Sequence, residues 1–272
     1  MARSTRRRAV RFRSAPISTP LSRGGARSWR RRWDLQQSSL LLHREERFAV
    51  VLEALRAGAG SRFRFLDLGA GTGSLSERIL RRFPHARGTA LDFDPVTLRI
   101  GRIGLGDLDG RLEWREADLR RPGWDASLSA PRYDAVVSST ALHWLDGRQL
   151  ARLYRELAAR LRPSGLFLDA DGLSFPKDHS TLRRMARESA RVERRVRARL
   201  SGESWEGWWL AIERDPRFAG EVDERRRRFP HAHTLTRTPD LAGHLERLRA
   251  AGFREAEVIW SRWQDRVLAA IR

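Results

Sequence analysis

The sequence predicts an α/β fold in which helices flank a parallel, doubly wound sheet, and three observations support this. An apolar strand at residues 63–68 runs into a glycine-rich turn, and the turn opens a helix. Further short apolar segments alternate with helical patterns, which is the order that a parallel sheet requires. Finally, a buried strand at residues 133–139 leads through a helix and a proline-glycine turn into another apolar strand, residues 166–170.

The glycine-rich turn is the segment Asp67–Gly73, which has the form D-x-G-x-G-x-G. Glycines at every second position leave no β-carbons, so the backbone can turn tightly and a ligand can lie against it. A Walker-type phosphate loop needs Lys and Ser/Thr after its last glycine, but Ser74 and Leu75 follow here. A dinucleotide fingerprint would require glycine at position 74. A carboxylate two residues before the first glycine suits an amino or sulfonium cation better than a pyrophosphate.

The composition limits the classes of protein that fit. At 272 residues and 40% apolar content, the chain can hold one large domain or two small ones, with a substantial core. It has no apolar run of the ~18 residues that would span a bilayer, so no membrane span is expected. Cysteine is absent, which excludes disulfides, thiolate zinc sites and a cysteine nucleophile, and no metal site is predicted. A cytoplasmic, reducing location fits this composition.

The formal net charge of +20 is concentrated at the amino terminus. Residues 1–33 contain eleven arginines and no acidic residue, and proline and glycine pairs interrupt them. We therefore expect residues 1–33 to be a disordered basic tail and residues 34–272 to form the folded domain. The tail has three interpretations: a solvated tail or start-site artefact, an arm for nucleic acid or an anionic surface, and an organelle transit peptide.

Two acidic residues follow predicted strands at positions where a nucleotide ligand would lie. Asp92 ends the second strand, 19 residues after Gly73, where a carboxylate can accept bonds from ribose hydroxyls. Phe93 would then lie beside the adenine. Asp118, followed by Leu119, ends the third strand. Each aspartate has a simpler alternative role as a helix cap, and the spacing from the glycine turn favours the ligand role for Asp92.

The segment between about residues 172 and 237 interrupts the alternation of strands and helices. An arginine-rich amphipathic helix over residues 179–200 is predicted there, followed by a cluster of tryptophans and a run of four arginines at 225–228. This is long enough to form a helical cover over the sheet. Such a helix is most often a solvated face, and the alternative is contact with an acidic substrate or an RNA backbone.

The ordered set of motifs resembles the class I S-adenosylmethionine-dependent methyltransferases across residues 34–272, and most weakly across 172–237. The resemblance implies a Rossmann-like seven-stranded sheet whose last strand is antiparallel, lying between the fifth and sixth. It also implies S-adenosylmethionine as cofactor, with the methionine part on the glycine turn, the ribose at Asp92 and the adenine at Asp118. The cofactor-binding residues implied in this way are Asp67, Gly69, Ala70, Gly71, Gly73, Asp92, Phe93, Asp118, Leu119 and Ser138.

The segment Ala141–Leu145, "ALHWL", is similar to the A-L-[QH]-W stretch of trans-aconitate and malonyl-carrier-protein methyltransferases, which esterify carboxylates. The resemblance therefore implies methyl transfer to a small acceptor that bears a carboxylate or hydroxyl group. His143 is the candidate general base or anion contact, and its alternative role is a pocket-wall histidine. The Asn/Asp-Pro-Pro-aromatic motif of amino-methylating enzymes is absent after Ser138. An RNA methyltransferase and a non-catalytic, partner-binding protein are the two alternative functions.

Overall fold

The structure is a computed structural model that describes residues 20–198, 203–229 and 239–272. A seven-stranded sheet forms its centre, in the order β3-β2-β1-β4-β5-β7-β6. Its strands are β1 Arg64–Leu68, β2 Arg87–Asp92, β3 Leu112–Glu116, β4 Tyr133–Ser139, β5 Leu161–Gly172, β6 Glu255–Arg262 and β7 Asp265–Ile271. The order reverses between β1 and β4, and open α/β sheets bind ligands at the carboxyl ends of the strands at such a point.

The predicted sheet is confirmed, including its one antiparallel strand. β1 to β5 pair in parallel, and β7 pairs antiparallel with both β5 and β6. A short turn joins β6 to β7, which allows the last strand to insert between β5 and β6. The doubly wound Rossmann-like fold therefore follows the expectation from the sequence.

Nine α-helices lie within the described residues. They are α1 Arg23–Leu40, α2 Arg44–Gly58, α3 Ser74–Arg82, α4 Pro95–Gly104, α5 Gly147–Arg160, α6 Ser180–Ala198, α7 Trp205–Arg214, α8 Ala219–Arg228 and α9 Leu241–Ala250. Polar caps fix several helix starts close to the sheet edge. Asp94 caps α4 ahead of Pro95, and Asp146 forms a capping box with Gln149 at α5. Separate apolar cores fill the two faces of the sheet.

The expected boundary of disorder at residue 33 is wrong. Ser22 caps α1, which begins at Arg23, and the indole of Trp29 is buried. Trp29 and Trp33 lie one turn apart and pack against Trp208 on α7, with ring centres 5.7 and 4.8 Å away. Arginine side chains along the same helix hid this stripe, because their polar heads reach solvent while their stems cover apolar surface. Residues 1–19 lie outside the described residues.

The predicted helical cover consists of α6, α7 and α8, and the end of the predicted segment, residues 230–237, lies outside the described residues. α7 and α8 join α1 and α4 in a third apolar cluster. The carboxyl end of α8 is fastened to the turn after β2, where Arg225 pairs with Asp94 at 2.7 Å and Arg228 donates to the Phe93 carbonyl at 2.8 Å. The cover therefore adjoins the end of the second strand.

The apolar stripe that the sequence predicts on α6 is only partly covered. Leu182, Met185 and Val192 are 40%, 43% and 52% exposed, whereas Ala186 is buried. The cover is therefore held to the body of the domain mainly by the tryptophans of α7 and the arginines of α8.

Among the described residues, no helix combines the length and the apolar character that crossing a membrane requires.

Candidate active site

The glycine turn adopts a left-handed backbone at each of its three glycines, with φ of 67° at Gly69, 55° at Gly71 and 82° at Gly73. A β-carbon on Gly69 would lie 2.3 Å from that of Ala141, and one on Gly73 would lie 2.7 Å from the Trp114 ring. A β-carbon on Gly71 would meet nothing within 4 Å. Packing therefore requires the outer two glycines, while the middle one faces open space where a ligand can approach the backbone.

Asp92 ties the glycine turn to the end of β2. One carboxylate oxygen accepts the Gly71 N–H at 2.6 Å, and the other accepts the N–H groups of Phe93 and Asp94 at 2.7 and 2.8 Å. Burial raises the pKa of Asp92 to about 6, although the three N–H donors act to lower it. The structure thus brings Asp92 to the glycine turn, as its spacing predicts, and gives it a structural role there.

Asp67 is fully enclosed by protein. Its carboxylate accepts a 2.6 Å hydrogen bond from the Ser76 hydroxyl on α3. Burial raises the pKa of Asp67 to about 7, and the neighbouring charge of Asp92 adds to the increase. A direct bond from this carboxyl to a ligand remains a prediction, and its observed contact joins β1 to α3.

Replacing Asp67 by Asn should stabilise the protein increasingly as the pH rises. Because the folded-state pKa is raised, the stability linked to Asp67 is fully present below the unfolded pKa and is lost as the pH rises through about 7. Asn keeps an oxygen for Ser76 but does not ionise. We expect the free energy of unfolding of the Asn variant, relative to wild type, to increase by about 2 kcal/mol between pH 5 and pH 8. Urea titrations at both pH values measure this, and a difference that is independent of pH would contradict it.

Asp118 and Phe93, the two predicted adenine contacts, are brought together by Arg120. Asp118 accepts bonds of 2.8 and 2.9 Å from the Arg120 guanidinium and one of 3.0 Å from the Arg120 backbone N–H. The same guanidinium lies 5.1 Å from the centre of the Phe93 ring. Leu119 is half-buried, and its carbonyl accepts a 2.6 Å bond from Arg152 on α5. The sequence reasoning gave Arg120 no role.

Ser138 and Ala70, two other residues of the implied cofactor site, each donate a hydrogen bond to a backbone carbonyl of a neighbouring strand. Ser138, one of the implied cofactor-binding residues, is fully buried, and its hydroxyl donates to the Leu68 carbonyl at 3.0 Å. This bond links β4 to β1, and a contact of Ser138 with the cofactor stays a prediction. The Ala70 N–H donates to the Leu91 carbonyl at 3.0 Å, which fixes the start of the glycine turn against β2.

His143 and Asp171 form a hydrogen-bonded pair at the carboxyl ends of β4 and β5. The His143 Nδ1 lies 3.0 Å from each carboxylate oxygen of Asp171, and Asp171 also accepts the backbone N–H groups of His143 and Gly172. Asp171 is buried, whereas the imidazole is 21% exposed. Burial acts to lower the pKa of His143, but the Asp171 carboxylate more than offsets it, so the pKa is raised. Sequence reasoning missed Asp171, and the signal was the Asp-Ala-Asp at the end of a strand adjacent to β4.

Arg47 and Thr140 shape the turn that carries His143. Thr140 has φ of 56°, a left-handed conformation that is strained for a β-branched residue. The guanidinium of Arg47 on α2 is buried, donating to the Thr140 hydroxyl at 3.2 Å and to the Ala170 carbonyl at 3.1 Å. These bonds hold the strained turn against β5. The sequence alone indicated no role for Arg47.

A second buried carboxyl lies two residues before Asp171. Neither oxygen of Asp169 has a hydrogen-bond partner within the part of the chain that the structure describes. Burial and the charge of Asp171 raise its pKa well above the ordinary value, although Arg47 acts to lower it. Asp169 therefore binds a proton more readily than Asp171, whose pKa His143 and Arg47 lower, and Asp171 is the charged partner of His143. Across the described ranges, no group of three or more His, Asp or Glu side chains could hold a metal ion.

Comparisons with known proteins agree with this geometry. A family model described as "Methyltransferase domain" matches residues 65–165, which include the glycine turn, Asp92, Asp118 and His143. Trans-aconitate 2-methyltransferase of Streptomyces coelicolor is 31% identical over 59% of this chain and 50% of its own length. Malonyl-[acyl-carrier protein] O-methyltransferase 1 of Ilyobacter polytropus is 27% identical over 44% of this chain and 42% of its own. The chain thus spans about half, or less, of the length of these curated relatives.

A solved structure has a similar fold. The solved structure of an O-methyltransferase family protein from Burkholderia thailandensis aligns with a TM-score of 0.57 at 19% identity, covering 93% of this chain and 63% of that one. The sheet order, the glycine turn and the matched segment together confirm the family predicted from the motifs. The chain belongs to the class I S-adenosylmethionine-dependent methyltransferases.

Proposed function

We propose that this protein transfers a methyl group from S-adenosylmethionine to a hydroxyl group of a small molecule, with His143 as general base. The observation that carries the proposal is the hydrogen-bonded pair of His143 and Asp171 at the carboxyl edge of the sheet, 3.0 Å between Nδ1 and each carboxylate oxygen. The pair lies directly after β4, the strand that adjoins the glycine-turn strand β1.

The residues at the switch point fit the cofactor. The open space beside Gly71 allows close approach to the backbone, and the half-buried carboxylate of Asp92 is oriented by three N–H groups. Asp92 would hold the ribose hydroxyls, and Phe93, Asp118 and Leu119 would hold the adenine. When bound, S-adenosylmethionine supplies a methyl group activated by a positively charged sulfur.

The pair favours a hydroxyl acceptor over a carboxylate. The relatives described above are named for trans-aconitate and malonyl-[acyl-carrier protein], both acids. A carboxylate is already nucleophilic at neutral pH and needs no base, whereas a hydroxyl usually must lose its proton.

In the proposed mechanism each residue around His143 has a separate role. Asp171 accepts a hydrogen bond from Nδ1–H, which fixes the tautomer and directs Nε2, on the opposite edge of the ring, toward the acceptor. The Nε2 atom takes the hydroxyl proton as the oxygen becomes the nucleophile. Arg47 fixes the Thr140 turn, so that the ring keeps its direction. Positioning of the acceptor provides the rest of the rate enhancement.

The decisive experiment uses tritiated S-adenosylmethionine with fractionated cell extract. We expect methyl incorporation into a small-molecule fraction that protease and nuclease treatment leave unchanged, and we expect the label to survive mild base, as the methyl group of an ether does. A base-labile product would indicate a carboxylate ester and overturn the hydroxyl assignment. Titration calorimetry with S-adenosylhomocysteine tests the cofactor site separately, and absence of binding would remove the proposal.

A second candidate acceptor, RNA, is favoured by one surface feature. A cleft of about 420 Å³ beside α1 and α3 is lined by five arginines but only two carboxylates, Asp34 and Glu77; the arginines are Arg23, Arg27, Arg30, Arg31 and Arg81. A cleft with this charge balance could contact a phosphate backbone. Incorporation into total tRNA, with binding that falls steeply as salt rises, would support this candidate. A partner that co-purifies while no fraction accepts methyl groups would support the non-catalytic alternative.

The proposed domain organisation is a methyltransferase domain over residues 34–272, extended toward the amino terminus by residues 23–33, the first part of α1. The contacts of α1 support this extension, since Asp34 accepts a 2.7 Å bond from the Ser74 hydroxyl beside the glycine turn. Arg30 likewise donates to the Thr72 carbonyl at 3.0 Å. A cytoplasmic location is part of the proposal and rests on the cysteine-free composition.

A further inference from the structure

We propose that Arg120 is a gate residue of the adenine subsite, where its guanidinium competes with the adenine ring for Phe93 and Asp118. The inference rests on the proposed function, because it assumes that adenine binds at these two residues. It assigns a role to a side chain that neither the motifs nor the proposed mechanism uses.

The first observation is the engagement of Asp118. The Arg120 Nε and Nη2 atoms donate to different oxygens of the carboxylate, at 2.8 and 2.9 Å, which is a two-pronged arginine–carboxylate contact. Its backbone N–H adds a third bond to the same carboxylate, at 3.0 Å. An adenine amino group that approaches Asp118 therefore meets a carboxylate whose two oxygens already accept bonds from one side chain.

The second observation is the position of the same guanidinium among aromatic rings. It lies 5.1 Å from the ring centre of Phe93 and 5.4 Å from that of Phe229, and the two rings are 5.7 Å apart. A guanidinium is flat and stacks on aromatic faces, as a nucleobase does. One side chain therefore makes both kinds of contact that adenine would need at this place.

The third observation is that the Arg120 side chain is partly exposed, whereas its backbone and the neighbouring Arg228 are held by further contacts. Arg228, the other guanidinium near Phe93, donates to the Phe93 carbonyl at 2.8 Å and pairs with Glu116 at 2.7 Å. The Arg120 backbone is held as well, since its carbonyl accepts a bond from Arg152 at 3.1 Å. The Arg120 side chain is 35% exposed, so it can rotate into solvent without moving the backbone.

The consequence is an adenine subsite with a built-in competitor. Adenine enters when the Arg120 side chain rotates away from Phe93 and Asp118, and the side chain returns when the nucleoside leaves. The gate lowers affinity for the cofactor and its product alike, and it speeds release of the product. Partly exposed ion pairs and cation–π contacts are each modest, so we expect removal of the gate to tighten binding about tenfold.

The test compares the full-length wild type with Arg120→Ala and Arg121→Ala by titration calorimetry with S-adenosylhomocysteine and with adenosine. Arg121 is the matched control, because it has the same charge in the same turn but is 82% exposed and lies 3.6 Å from Asp118. We expect Arg120→Ala to bind both ligands about tenfold more tightly, and Arg121→Ala to bind as wild type does. Melting temperatures of the three proteins verify that each is folded.

The outcomes separate this inference from the proposed function. Binding by wild type that Arg120→Ala leaves unchanged or weakens overturns the gate and leaves the proposed function intact. A gain with S-adenosylhomocysteine but none with adenosine also overturns it, because the competition is for the adenine. If neither wild type nor Arg120→Ala binds either ligand, the proposed function itself fails, and the gate fails with it.

Discussion

Replacing Asp92 by Ala is expected to weaken binding of S-adenosylhomocysteine by about 100-fold, since bonds to a charged acceptor contribute about 1.5–3 kcal/mol each. The carboxylate acts in two ways. It would accept the ribose hydroxyls directly, and it already holds the Gly71 N–H at 2.6 Å, so its loss also loosens the turn that would receive the methionine part. Titration calorimetry of the folded variant measures the change.

The control for this experiment is Asp134→Ala. Asp134 also joins two elements through a backbone N–H, accepting from Arg64 at 2.7 Å, but it lies at the amino ends of β1 and β4. The control variant should lose some stability and keep its affinity for S-adenosylhomocysteine. If Asp92→Ala binds as tightly as the control, Asp92 is only a turn-stabilising residue and the cofactor assignment at β2 is incorrect.

The sequence predicted the sheet and the switch point because these depend on local patterns. β1 and β4 are short, largely apolar segments bounded by turn residues, and side chains at Gly69 and Gly73 would clash with neighbours of the glycine turn. The position of Asp92 followed from its distance along the chain to Gly73. Such features can be recognised in a single sequence because each depends on residues within about 20–30 positions of one another.

The missed features depend on contacts between distant segments. Asp171 pairs with His143 because β5 lies next to β4, with Ser139 opposite Ala170, and the Asp-Ala-Asp at the end of β5 does not by itself indicate its partner. The hydroxyl of Ser138 bonds to the Leu68 carbonyl because β4 lies next to β1, with Ser138 opposite Leu68, and only the strand order brings these two residues together. The helix α1 was hidden by composition, since eleven arginines in residues 1–33 outweighed the two tryptophans that anchor it.

The charge state of the site is also a tertiary property. Asp67, Asp92 and Asp169 all have raised pKa values because burial disfavours their charged forms. Asp171 is equally buried, but His143 and Arg47 lower its pKa and keep it charged. The structure therefore separates four aspartates into one firmly ionised partner for the histidine and three groups that bind protons more readily. This separation is what makes His143 the candidate base.

Replacing His143 by Gln is expected to lower the rate of methyl transfer by about 10²- to 10⁴-fold, the range typical of a lost general base. The wild-type rate should rise with pH through the pKa of His143, which Asp171 holds above the usual histidine value of about 6.5. In Asp171→Asn this support is lost, so the rising limb should move to lower pH while the maximum rate falls. Tritium incorporation into the acceptor fraction, measured across pH, gives both quantities.

His85→Gln is the control, because His85 is exposed in the turn between α3 and β2, away from the carboxyl edge of the sheet. Nuclear magnetic resonance titration of the imidazole signals provides a readout that needs no acceptor. The imidazole signal that is absent from His143→Gln belongs to His143. Its pKa should lie above the usual histidine range in wild type and should be lower in Asp171→Asn. A His143→Gln enzyme with wild-type turnover would contradict the general-base role and favour an acceptor, such as a carboxylate, that needs no proton removed.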